Sequence, residues 1–453
     1  MSELLADSTA ERASRHHREI PPLDRIDGLL LSILVMEVAA LSLLHLGAQR
    51  FGDLNFYTEA KALASALRDG AGWSEVAVNQ GPAPVVYYAI PFLAVPPGSA
   101  DRAYWWAAFI WNVWWVMVAL WCLRRAAGAL AGPAAGMAAG ALVLAAPFSV
   151  YYSFGIDAEP PAYLGAAILA YAWATRRERR QDAAVPWLGG VGLALFLLSR
   201  PNAVLLLAVL GLAILLLSRR PGGRADARRM RRLVVLAAAG TIVVTAVARL
   251  LPSTAGGSPQ LANLSHVLFH GRFQYRSEPF DWRYWDNETR RGSADYSAWA
   301  RTQDSLVQLA RGTGTPISSL RWRWIWKDLR EHPGITIQSA GVRLLTLNLA
   351  FVNSRSPAAF RLGPLSGYVV YGLFHLAVNL SWLTVLALCL WHAVRRWGDL
   401  ASEAPLWGPW VALLTFHIFT YAEARYLFPG QPGLVVLAAG VLGSAWQPVR
   451  SDS

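Results

Sequence analysis

The chain has 453 residues, of which 55% are hydrophobic and only 15% charged, with a mean hydropathy of +0.32 and a formal net charge of +12. So little charge on a chain this long excludes a string of soluble domains, and apolar runs close to the roughly 20 residues needed to cross a bilayer point to a membrane protein. The basic balance does not make a nucleic-acid binder, because the arginines gather in short runs between apolar segments, and the 21 tryptophans and 15 tyrosines suit the headgroup level of a membrane.

In chain order, the polar start "MSELLADSTAERASRHHREIPP" leads into an apolar segment that lacks a small-residue cleavage site. It reads as a retained cytoplasmic tail over 1–26, not a cleaved signal peptide. Ten spans follow, over 27–48, 103–123, 128–147, 160–175, 186–199, 202–218, 233–251, 366–391, 406–422 and 432–447. They divide the chain into a transmembrane region 27–251, a long outer loop 252–365, a second transmembrane region 366–447 and a short cytoplasmic tail 448–453. Orientation comes from the arginines. Segments assigned to the cytoplasm hold 20 of them, including "RRERR" and "RRPGGRADARRMRR", against six basic residues in the short outer segments. That asymmetry puts both termini inside, in the plasma (inner) membrane of a cell whose Ala-, Gly- and Arg-rich usage looks bacterial. Cys122 and Cys389 fall at expected cytoplasmic helix ends, which argues against a disulfide framework.

Two outer segments are too large to be connectors. In 49–101, the apolar residues Phe56, Ala60, Leu63, Ala64 and Leu67 follow helical spacing, which predicts a helix lying along the membrane surface. Beyond it, "NQGPAPVVYYAIPFLAVPP" has prolines that allow only short helical pieces. The long loop 252–365 has a polar, aromatic middle around 269–299 and an apolar stretch 334–352 that carries Gln338 and Arg343. Parity leaves both ends of that stretch outside, so it reads as an interfacial helix.

Four clusters of chemically capable residues fall on the outer side. Asp53, in "FGDLNFYTEAK", has the chemistry of a general base if partial desolvation raises its pKa. Asp53 or Asn55 is equally suited to cap the surface helix, and both readings stay open. Asp157 and Glu159, in "SFGIDAEPPAYL", could orient an acceptor or hold a divalent metal, or serve as N-cap and first-turn acid of the helix behind them. Arg200, in "LSRPNAVLL", interrupts apolar sequence; its guanidinium fork fits a phosphate, and snorkelling to the headgroups is the alternative. Arg425 and Tyr426, in "EARYLFPGQP", would add a second cation to a phosphate clamp, unless Arg425 merely contacts Glu423. Glu37, Asn112, His375 and His417 lie within spans and are expected to satisfy one another in the bundle. No phosphate-binding GxxxxGK[ST] loop, dinucleotide GxGxxG, HExxH, CxxC or GxSxG motif occurs, which argues against ATP-driven transport, dinucleotide chemistry and zinc proteolysis.

Taken in order, "GDLNFYTEAKALASAL", "GPAPVVYY", "GIDAEPPAYL", "SRPNA", "LREHPG…VRLL" and "ARYLFPGQP" resemble the landmarks of the GT-C glycosyltransferases, specifically the polyprenyl-phosphate-sugar-dependent type related to protein O-mannosyltransferases and aminoarabinose transferases. The resemblance covers most of the chain. It implies an all-α GT-C-like bundle of about ten transmembrane helices, with surface helices in the first and the long outer loops. It also implies an inverting transfer of sugar from a polyprenyl-phosphate donor to an acceptor at the outer face, with no nucleotide site. Position by position, Asp53 matches the catalytic base, Asp157 or Glu159 the second acidic motif, and Arg200 and Arg425, with Tyr426, the donor-phosphate side. Asp53 is followed by Leu54 instead of a second acid, which leaves the role of Glu59 open. The acceptor, whether glycolipid, polysaccharide or protein, is not named by the resemblance, and neither is a cofactor; a divalent metal stays an option. Two other classes remain: a secondary transporter or lipid flippase, and a polysaccharide polymerase or ligase with a lipid-diphosphate donor.

Overall fold

The computed structural model describes residues 24–45, 54–70, 82–145, 155–176, 184–249, 259–277, 293–349, 364–420 and 424–445. Every regular element among them is helical. The first is α1 (Arg25–His45), and the first large connection holds α2 (Leu54–Arg68) and α3 (Pro82–Phe92). Then come α4 (Asp101–Ala131), α5 (Pro133–Ala145), α6 (Glu159–Thr175), α7 (Ala184–Ser199), a 3-10 turn Pro201–Val204, α8 (Leu205–Arg219) and α9 (Arg224–Arg249). The second large connection forms α10 (Pro259–Gly271), α11 (Ala294–Thr313), α12 (Ile317–Glu331) and α13 (Pro333–Leu349). The chain closes with α14 (Pro364–Arg395), a 3-10 turn Trp397–Glu403, α15 (Ala404–Phe419), a 3-10 turn Ala424–Gly430 and α16 (Gln431–Ala445).

The described parts of all ten apolar segments expected to span fall mainly on helices. Four are both long and apolar enough to cross a membrane among the described residues: Asp101–Ala131, Asn202–Arg219, Leu376–Arg395 and Tyr426–Ala445. Two boundaries differ markedly from expectation: α9 starts at Arg224 instead of 233, and α4 runs past 123. The helix predicted to end at 123 runs on through Ala131, because Arg124 and Arg125 do not need to leave it. Arg124 pairs with Asp27 and lies 2.7 Å from Asp24, and Arg125 lies 2.9 Å from Asp27, so α1 supplies the counter-charge. The helix stops instead at Gly132, whose φ of 87° disfavours any residue with a Cβ, and Pro133 opens α5.

The centre of the bundle is α6. All of its side chains except Ile168 are buried, and a helix apolar on every side has no solvent or lipid face to present. It packs against α4, α7 and α16. Where it meets α7 the backbones nearly touch: a Cβ on Gly192 would stand 2.7 Å from Gly165 O, and one on Gly165 2.7 Å from Gly192 O. Small residues at a membrane helix crossing permit that approach and the dispersion contacts that come with it.

The helix α2 forms over the predicted apolar stripe. Four of its five predicted stripe residues, Phe56, Ala60, Leu63 and Ala64, are buried, but against protein. They join Val85, Tyr88 and Phe92 of α3, Tyr104 and Ala108 of α4, and Ile156 and Ala158 in a separate hydrophobic cluster. The first large connection is thus docked on the turn that leads into α6. A smaller cluster of Phe269, Phe273, Leu306, Leu320 and Ile325 holds α10–α12 together, with Trp324 stacked 4.9 Å from Phe273.

Candidate active site

Glu159 opens α6, where the unpaired N–H groups of a helix start favour a carboxylate. It is 2% exposed and forms an ion pair with Arg200. Arg200 follows the last residue of α7; its N–H donates to Phe196 O at 2.9 Å, and Pro201 turns the chain into α8. A cation at a helix C-terminus and an anion at a helix N-terminus each sit where the backbone dipoles favour them. The guanidinium also lies 5.3 Å from the ring centroid of Tyr426, within cation–π range. Glu159, Arg200 and Tyr426, drawn from "GIDAEPPAYL", "SRPNA" and "ARYLFPGQP", therefore meet at one end of the bundle. Arg200 therefore has a carboxylate counter-charge within the protein.

The Tyr426 ring stacks on His417, with centroids 4.6 Å apart and planes at 21°. His417 Nε2 is 2.9 Å from Asn202 Nδ2. The other ring nitrogen, Nδ1, faces Thr420 Oγ1 at 3.4 Å. Asn202 comes from the "SRPNA" turn, so that motif supplies both the cation and the group that orients the histidine behind it.

The "PGQPG" stretch brings Tyr426 into this position. A Cβ on Gly430 would be 2.5 Å from Trp410 Cα, and one on Gly433 2.0 Å from Leu406 O. Only glycine lets the turn lie directly on the α15 backbone. Two residues before Gly430, Phe428 stacks on Tyr163 at 4.5 Å and 9°. Beside that pair an apolar pocket opens, lined by Asn112, Trp115, Val116, Pro160, Tyr163, Leu164 and Phe428.

Asp157 is held by its main chain. Tyr88 OH donates to Asp157 O at 2.9 Å and accepts from Asp157 N at 3.1 Å, while Asn112 Nδ2 donates to Gly155 O at 3.0 Å. Asn112 and His417 are therefore matched to turn and loop groups, contrary to the expectation that in-span polar residues pair with one another. Glu59 is buried on α2. Asp53, Glu423 and the side chains of Arg425 and His375 lie outside the described residues. The backbone of Arg425 belongs to the 3-10 turn that carries Tyr426.

As a metal site the acids fit poorly. Glu159 already has a guanidinium partner, and among the described residues no three His, Cys, Asp or Glu side chains gather as a ligand set.

Sequence reasoning missed three positions. Tyr88 was visible only as part of a proline-rich motif, Asn202 as a helix-opening turn residue, and Arg343 as a charge on an apolar helix. Arg343 is 2% exposed and donates to Ile418 O at 2.9 Å, to Gln274 O at 3.1 Å and to Gly271 O. Burial, with a smaller effect of Arg272, pushes its pKa down to about 9, which leaves it protonated at neutral pH.

No family model matches this chain, and no curated protein matches it. Among solved structures it is similar to the archaeal oligosaccharyltransferase AglB from Archaeoglobus fulgidus in complex with an inhibitory peptide and a dolichol-phosphate, at 12% identity and a TM-score of 0.47, over 91% of this chain and 50% of that one. The apo form of the Archaeoglobus fulgidus oligosaccharyltransferase gives 13% identity, a TM-score of 0.45 and coverage of 91% and 50%. ArnT from Cupriavidus metallidurans bound to undecaprenyl phosphate gives 13% identity, a TM-score of 0.41 and coverage of 92% and 76%. This chain spans about half the length of the oligosaccharyltransferase chains, and the likeness concerns the path of the chain and assigns it no chemistry.

Proposed function

We propose that this protein is an inverting membrane glycosyltransferase that moves a sugar from a polyprenyl-phosphate donor to an acceptor at the outer face of the membrane. The observation that carries the reading is the half-buried Arg200, paired with the buried Glu159 and facing Tyr426, where two helix ends meet. A guanidinium fork suits a phosphate. The ordered motifs of the sequence support the same donor, which remains a polyprenyl-phosphate-linked sugar.

In the proposed reaction Asp53 takes the proton of an acceptor hydroxyl as its oxygen attacks the anomeric carbon. The new glycosidic bond forms as the bond from that carbon to the donor phosphate oxygen breaks. The electron pair leaves with the phosphate, whose charge Arg200 and Arg425 stabilise. Glu159 holds Arg200 in place and keeps its charge compensated before the donor arrives, and Asp157 stands beside it to orient the acceptor. The phosphate leaving group already activates the sugar, so no nucleotide site is required.

The test is transfer by the reconstituted full chain from an undecaprenyl-phosphate sugar. Asp53→Asn is expected to abolish transfer with membrane insertion unaltered; retained transfer in that variant removes Asp53 from its role. Transfer only from an undecaprenyl-diphosphate sugar overturns the monophosphate assignment, and movement of the lipid across the bilayer without bond breakage makes the protein a transporter.

A further inference from the structure

Arg343 has a chemistry that the reaction above does not use. Its guanidinium is buried without forming an ion pair with any described carboxylate, and it rests on three main-chain carbonyls. Gly271 ends α10 and Ile418 is the penultimate residue of α15, so both carbonyls belong to the last helical turns, which lack intrahelical donors. Such ends carry partial negative charge, and one cation here serves two of them at once. The segments it joins are the turn 271–277, which belongs to the α10–α12 unit, and the residue next to His417.

That turn is built to be held. Tyr275 has a φ of 62°, which a non-glycine residue adopts at a cost. Ser339, one turn before Arg343 on α13, donates to Tyr275 O at 3.3 Å. Asp295 accepts from the N–H groups of Arg276 and Ser277 at 2.9 Å each. Asp328 binds Arg272 at 2.6 Å and Arg276 at 2.7 Å. On the other side of Arg343, the end of α15 carries His417, which contacts Asn202 and the Tyr426 ring that faces Arg200.

We propose that Arg343 is a positioning residue that couples the turn 271–277 of the α10–α12 unit to the phosphate end of the site through the last turn of α15. By linkage, whatever shifts that turn changes affinity at Arg200, and a ligand at Arg200 steadies that turn. The inference rests on the proposed phosphate role of Arg200 only for the ligand used to test it.

The experiment is hydrogen exchange by mass spectrometry on the full chain in nanodiscs, with undecaprenyl phosphate as the probe. In the wild type, the lipid is expected to slow exchange at 417–430 and also at 269–277. Arg343→Lys keeps the charge but cannot span three carbonyls. It should raise basal exchange at both 415–420 and 269–277, abolish the lipid response at 269–277, and weaken lipid binding about tenfold. Ser339→Ala releases only the Tyr275 carbonyl and provides a milder variant; exchange at 415–420 should still rise, although the lost hydrogen bond lies in the turn 271–277. An effect confined to 269–277 in both variants, with lipid affinity unchanged, overturns the coupling. Should the wild type bind no lipid phosphate, the proposed function fails, yet paired basal responses at 269–277 and 415–420 would still establish the coupling.

Discussion

The ion pair of Glu159 and Arg200 is the residue-scale centre of this protein, and its energetics are asymmetric. Removing one member of a buried pair leaves an uncompensated charge and costs about 3–5 kcal/mol, whereas replacing both by apolar residues of similar volume is often neutral. Glu159→Ala is therefore expected to destabilise the chain by about that amount, read as the thermal midpoint in detergent. The double change Glu159→Leu with Arg200→Met should recover most of the midpoint and none of the activity. Recovery of both would make the pair a packing device with no part in transfer. Arg200 also lies within cation–π reach of Tyr426, so its guanidinium is oriented by a carboxylate and an aromatic ring together.

At the scale of elements, the crossing of α6 and α7 sets how Glu159 and Arg200 face each other, because the first lies at the start of one helix and the second just past the end of the other. Their closeness depends on Gly165 and Gly192. Gly192→Leu would drive a side chain into Gly165 O and Leu169 N, at 2.7 and 2.8 Å from its Cβ, and should cost about 1–3 kcal/mol or prevent a monodisperse preparation. Gly211→Leu, where nothing lies within 4 Å, should leave the midpoint unchanged. Equal behaviour of the two variants would show that the helices do not need their close approach. The docking of α2 on α3 and α4 belongs to the same scale. Its apolar stripe was legible from spacing, but spacing cannot distinguish a lipid surface from a protein groove as the partner, since both take up the same apolar area.

Over the whole molecule, the arginine asymmetry predicts which connections face the cytoplasm. Arg220, with a side chain 51% exposed, lies in a connection assigned inside, and Lys327, 72% exposed, in the long connection assigned outside. In intact cells a membrane-impermeant maleimide is expected to label Lys327→Cys but to label Arg220→Cys only after lysis, with the unsubstituted chain as the blank. The reverse pattern would invert the protein and move the site to the other side.

The helical, membrane-spanning character and the list of charged or polar residues that apolar surroundings make expensive are legible in the order of residues alone. Both follow from local quantities: run length, the 3.6-residue period and the cost of an isolated charge. The partners of those residues emerge only once the helices are packed. Nothing local says that Arg200 would take Glu159 as counter-ion, that Arg124 and Arg125 would stay inside a helix because Asp24 and Asp27 neutralise them, or that Arg343 would settle on two helix ends. Those pairings join residues from 41 to 101 positions apart, and they depend on how close helix backbones can come. Glycines such as Gly165, Gly192 and Gly433 decide that distance, but the side chain they leave out has meaning only against a neighbour that the sequence does not name.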